Sequence, residues 1–98
     1  MAMKPWHPID NKVDLKHLGK LAEELGELSS AVGRCIIQGM EGRNPSTDKP
    51  NREWLEEEIA DVLCCITLTI EHFKLEMDII NERCSAKSEL QRGWHREA

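Results

Sequence analysis

The sequence predicts an all-α protein. Three observations carry that expectation. Apolar residues recur at intervals of three and four over two long stretches, no segment alternates apolar and polar residues as a half-buried strand does, and aromatic residues are scarce. The aromatics are Trp6, Trp54, Trp94 and Phe73, with no tyrosine, whereas β-sandwiches and barrels favour aromatic and β-branched residues. At 98 residues the chain reads as a single domain, 1–98, small enough that oligomerisation would add substantially to its burial. The expected architecture is a bundle of two long helices and a shorter C-terminal helix, its four-helix core completed by dimerisation.

Residues 1–12 contain Pro5, Pro8 and the pair Asp10-Asn11 and read as an irregular arm. From Val13, apolar residues fall at Leu15, Leu18, Leu21, Leu25, Leu28, Val32 and Ile36, the spacing of an amphipathic helix. Gly19, Gly26 and Gly33 recur every seven residues along it. That ridge suggests close helix approach or room for a ligand, with a gentle kink at Gly33 as the plainer reading. Residues 39–50 form the clearest loop, rich in Gly and Pro. Asn51 suits the N-cap of a second helix, which continues through Leu55, Ile59, Val62, Leu63, Ile66, Ile70 and Phe73. From Ile59 to Ile70 that helix is apolar nearly all round, as in a central bundle helix or a subunit interface. The pattern breaks at Lys74-Leu75. A third helix then takes Met77, Ile80, Cys84 and Leu90 and is expected to end near Gly93.

Each long helix carries a pair of acids three residues apart, Glu24 and Glu27 on the first, Glu58 and Asp61 on the second. On a helix such residues share a face, where like charges repel by a few tenths of a kcal/mol. Both pairs border the apolar stripe, so packing the helices would bring four carboxylates together. That is tolerable only with a cation between them, and hard divalent ions take oxygen ligands. Taken singly, each acid also reads as a solvated boundary residue paired with Lys20, Arg34 or Arg52.

Composition narrows the function classes. A net charge of −5 argues against a duplex nucleic-acid binder, which needs a basic face to neutralise phosphates. The cysteines Cys35, Cys64, Cys65 and Cys84 include no CxxC pair, so free thiols are expected rather than zinc. No window has the length of a signal peptide's apolar core or of a membrane span, and a reducing cytoplasmic setting is expected. No Walker A glycine loop is present.

The segments Glu23-Glu-Leu-Gly-Glu-Leu28 and Glu57-Glu-Ile-Ala-Asp-Val-Leu63, separated by a variable loop and followed by a weaker Arg92-Gly-Trp94 echo, resemble the MazG-like nucleotide pyrophosphohydrolases of the all-α NTP pyrophosphatase superfamily. The likeness covers about Lys20 to Trp94. It implies that Glu24, Glu27, Glu58 and Asp61 ligate Mg²⁺, with Mn²⁺ able to substitute. It also implies hydrolysis of nucleoside triphosphates, often deoxynucleotides, to monophosphate and pyrophosphate by a homodimer or tetramer. Where the family often has Lys and Asn before its final Arg, this chain has Ser85 and Glu89, with Lys87 displaced by two positions. Lys87 and Arg92 are then the phosphate contacts expected from that segment. The aromatic that often follows the second acid pair is Cys65 here, so a stacking partner must come from elsewhere.

The charges dictate the rest of the expectation. A triphosphate binds four carboxylates only through divalent metal, and a neighbouring carboxylate, Glu23 or Glu27, activates the attacking water. Expected substrate contacts are Lys20, Trp54, Lys87, Arg92 and Trp6. Trp54, one turn before Glu58, reads either as a base-stacking platform or as the helix's first core anchor. Trp6 would fold over the site or pack as an ordinary staple. Loop residues Arg43, Ser46, Thr47 and Lys49 would touch the triphosphate or simply belong to a flexible loop. His17 and His72 read as surface or interface residues. The alternative from another class is a non-catalytic helical interaction or adaptor module. The expected partners are the nucleotide and a second copy of the chain, with neither duplex nucleic acid nor membrane.

Overall fold

The structure is a computed structural model in which residues 5–97 are described. It contains three helices, α1 (Lys12–Gln38), α2 (Asn51–Phe73) and α3 (Met77–Glu97). No strand occurs among the described residues, only an isolated bridge between Arg43 and Pro50. Residues 5–11 of the arm are irregular, and residues 1–4 lie outside the described part.

Asn11 starts α1. Its Oδ1 accepts from the backbone N–H groups of Val13 at 2.9 Å and Asp14 at 3.0 Å, satisfying two donors that a helix start leaves orphaned. Gly39 ends it at φ +83°, with its N–H donating to the Cys35 carbonyl at 2.8 Å. The 39–50 loop then turns back tightly. A Cβ on Gly42 would stand 2.7 Å from the Gln38 carbonyl oxygen, so close backbone approach requires glycine there. The Asn51 N–H donates to the Gly42 carbonyl at 2.8 Å and the Arg52 N–H to the Met40 carbonyl at 2.9 Å.

Asn51 does not cap α2 as expected. Pro50 occupies the cap position without a side-chain bond, and Asn51 is the first helical residue, 2% exposed. Its Nδ2 donates backwards, to the Gly39 carbonyl at 3.0 Å and to Gln38 Oε1 at 3.2 Å. The amide serves the C-terminal end of α1, where carbonyls lack helical partners, and so locks the hairpin. α2 ends where the pattern broke. Lys74 takes the left-handed conformation at φ 53°, and the Leu75 N–H donates to the Ile70 carbonyl at 3.0 Å. α3 runs past Gly93 to Glu97 instead of stopping there. Glycine weakens a helix interior by about 1 kcal/mol but ends a helix only where the backbone turns to positive φ, which Gly93 does not.

α1 and α2 form an antiparallel hairpin, the extensive helix contact in the chain. Its interior holds Ala31 and Val62 together with the polar residues Glu24, Glu58 and Thr69. α3 buries no residue. Each residue advances about 100° round a helix. In an antiparallel pair, the residues just after the inward-facing ones therefore fall on one common side. Leu25 and Val32 follow Glu24 and Ala31, and Ile59 and Leu63 follow Glu58 and Val62. They form one apolar face, and Leu63 is 58% exposed. The opposite side takes the positions three further on, Glu27 and Arg34 from α1 and Asp61 from α2, with Lys20 in the same row. The hairpin is thus apolar on one side and charged on the other. Gly19, Gly26 and Gly33 point away from α2, and a Cβ on any of them would meet nothing within 4 Å. Close approach of α1 to α2 is not their role. No helix among the described residues is long and apolar enough to cross a membrane.

Candidate metal centre

Antiparallel pairing sets the middle of α1 against the first half of α2 and brings Glu24, Glu27 and Glu58 together. One carboxylate oxygen from each lies within 4.8 Å of the others. Asp61 is exposed on the same side, one turn further along α2, outside this trio. Three of the four expected ligands therefore converge within one chain.

The two inward acids are similarly arranged. Glu24 is 7% and Glu58 8% exposed. One oxygen of each is held: Lys20 Nζ lies 3.1 Å from Glu24 Oε1, and Trp54 Nε1 donates to Glu58 Oε1 at 3.3 Å. The other oxygen of each, Oε2, is buried without a hydrogen-bond partner. Buried carboxylate oxygens ordinarily find partners, and an orphaned pair beside a third acid marks room for a cation. An all-oxygen donor set suits Mg²⁺ or another hard divalent ion. The residues present therefore fit such an ion.

Electrostatics agree. Glu27 holds its proton more tightly than an ordinary glutamate, chiefly because of Glu24, then through desolvation and the charges of Glu58 and Glu23. Lys20 is held in its charged form by hydrogen bonds to Glu24 and to Glu23, whose Oε1 is 3.4 Å away. Cys65 remains a thiol, its pKa raised first by burial and then by Glu24, so it supplies no thiolate to compete with the oxygens.

Of the other expected site residues, Lys20 and Trp54 contact the acids directly. Trp6 is 89% exposed and is not folded over the site. Lys87 and Arg92 stand exposed on α3, Arg92 3.5 Å from Glu89, and the helix that carries them buries no residue. In the loop, Arg43 and Lys49 are engaged locally. Arg43 donates to the Asp48 carbonyl at 2.7 Å, and Lys49 pairs with Glu57 at 2.8 Å.

Two features went unread in the sequence. His72 Nε2 lies 2.7 Å from Asp14 Oδ1 and stacks on His17 with ring centroids 4.0 Å apart, joining the start of α1 to the end of α2. Arg34 and Gln38 also join Asn44, Ser46, Asn51 and Trp54 in lining a recess beside the acids. The signal for Arg34 was its position, seven residues after Glu27 and so on the same side of α1.

No family model, curated protein or solved structure matches the chain.

Proposed function

We propose that the protein is a Mg²⁺-dependent nucleoside triphosphate pyrophosphohydrolase, converting a nucleoside triphosphate and water to the monophosphate and pyrophosphate. The observation that supports this best is the trio Glu24, Glu27 and Glu58, with two nine-tenths-buried carboxylates each leaving an oxygen unpartnered. Those three would hold the ion, with Asp61 near enough along α2 to join through water or a rotamer change. Mg²⁺ bound there would neutralise phosphate oxygens and favour attack at phosphorus.

The chain's own residues have defined tasks in this reading. Glu27, exposed at the edge of the trio, would take a proton from the attacking water. Lys20, which pairs with Glu23 and Glu24, would be free to turn towards a phosphate oxygen with Glu24 engaged in holding the ion. Glu23 holds Lys20 and stays the second candidate for the base. Trp54 fixes Glu58 through its ring N–H and offers its face to the nucleoside. We place a homodimer on the apolar side of the hairpin, which leaves the charged side open to substrate.

The test is pyrophosphate release from a panel of deoxy- and ribonucleoside triphosphates with Mg²⁺, with Mn²⁺ and with chelator. Equimolar monophosphate and pyrophosphate, lost on chelation, is the expected result, with deoxynucleotides modestly faster. No release from any nucleotide would move the protein to the class of non-catalytic helical interaction modules.

A further inference from the structure

The recess beside the acids has a one-sided hydrogen-bonding character. It encloses about 290 Å³ between the end of α1, the 39–50 loop and the start of α2. That is room for one base. Trp54 links it to the acids, lining the recess while its ring N–H binds Glu58. A nucleotide with its base here would run its phosphates towards Glu24, Glu27 and Glu58.

The polar groups on its walls are mostly donors. Arg34 carries only donors and has no ion pair among the described residues, although the chain is acidic. Asn44 Oδ1 accepts from the Ser46 N–H at 2.8 Å, leaving its amide N–H groups without an acceptor. Gln38 Oε1 accepts from Asn51 at 3.2 Å, and its N–H groups are likewise unspent. The Asn51 N–H groups are used on Gln38 and Gly39. Unspent donors come from three side chains, against two groups able to accept, the Ser46 hydroxyl and the Asn51 Oδ1.

We infer that this recess selects a 6-oxopurine base, reading its O6 and N7 edge with Arg34 and the amides of Gln38 and Asn44 while Trp54 stacks on the ring. The inference rests on the nucleotide reading above. Guanine and hypoxanthine place two acceptors side by side on that edge, spaced for the guanidinium fork. Adenine puts an amino donor at the same place, facing donors. The edge of thymine or uracil interposes an N–H between its two carbonyls, which would meet donors as well. A phosphate also accepts hydrogen bonds, but the Trp54 and Pro45 surfaces suit a flat ring, and the metal trio already serves the phosphates.

Nucleosides separate base recognition from metal binding and from turnover. NMR titration would follow the Trp54 Nε1–H and Arg34 Nε–H signals with deoxyguanosine, deoxyinosine, deoxyadenosine and 7-deaza-deoxyguanosine. Deoxyguanosine and deoxyinosine should shift both signals and bind about 10- to 100-fold more tightly than deoxyadenosine. Loss of N7 should weaken binding about tenfold, and Arg34→Met, at an exposed position, should collapse the guanine-to-adenine ratio. Equal binding of deoxyguanosine and deoxyadenosine, or undiminished binding of the 7-deaza compound, would overturn the inference even if triphosphates are hydrolysed. Selective guanine binding without pyrophosphate release from any triphosphate would uphold the recess and sink the hydrolysis.

Discussion

Glu24 and Glu58 each keep one buried oxygen without a partner, and such a group costs about 1–3 kcal/mol when desolvated and unsatisfied. The site is therefore expected to be a place where stability was given up for binding. Glu58→Gln should lower pyrophosphate release at least about a hundredfold while circular dichroism shows an unchanged helical content, because it removes an anionic ligand and keeps the side chain's shape. A wild-type rate in that variant would return Glu58 to a structural role. Glu27 gives a pH signature. Its proton affinity is raised in the folded chain, so between the ordinary glutamate value of 4.5 and the folded value the native state binds more protons than the unfolded one. Metal-free stability from this group therefore falls as pH rises through that window, the opposite of a salt-bridged acid. Melting curves with chelator should show the slope, Glu27→Gln should remove it, and saturating Mg²⁺ should oppose it by binding the charged form. The convergence of Glu24, Glu27 and Glu58 was legible because spacing alone puts each on its helix's inner edge. The exclusion of Asp61 was not, since it depends on how far the helices rotate about their axes. Lys87 and Arg92 were placed from the family pattern and not from any periodicity, Trp6 from its place in the arm, and the fold keeps Lys87 and Arg92 on a helix of their own.

At the scale of elements, the hairpin is pinned at both ends. At the closed end Asn51 and Gly42 bind the last turn of α1, and at the open end His72 meets Asp14 beneath His17. The helix limits were largely written in the sequence: Asn11, Gly39 and Lys74 fall where the apolar period starts or stops. Asn51 misled because a side-chain amide caps either a helix start or a helix end, and only the loop's path decides which. The His72–Asp14 contact joins residues far apart in sequence, so no local pattern could announce it. It is a partly buried bond, 2.7 Å long, with both side chains no more than about a third exposed. Asp14→Ala and His72→Ala should each destabilise the chain by about 1 kcal/mol, and together by less than the sum. Urea denaturation of the double-mutant cycle measures this, and strict additivity would show that the pair contributes no coupling.

At the scale of the whole molecule, the chain leaves its apolar side uncovered. Leu25, Val32 and Ile36 on α1 and Ile59, Leu63 and Ile66 on α2 are all exposed, while Ala31 and Val62 are the buried apolar residues among those described. So little interior contributes little to the stability of a chain of this size, which depends on the fraction of apolar surface removed from water. A second hairpin laid on the same side would make a four-helix core and leave Lys20, Glu27 and Arg34 facing solvent. We expect a dimer or larger assembly by light scattering at micromolar concentration, with helical content that falls on dilution. Leu63→Asp should split it into poorly folded monomers, since a charge would be placed at the centre of that interface. Gly26→Ala separates this surface from the glycine ridge. Its new Cβ meets nothing within the chain, so it should keep the assembly and add up to about 1 kcal/mol through helix propensity. Dissociation of the Gly26→Ala variant would move the interface onto the ridge, and a well-folded wild-type monomer would remove the dimer altogether.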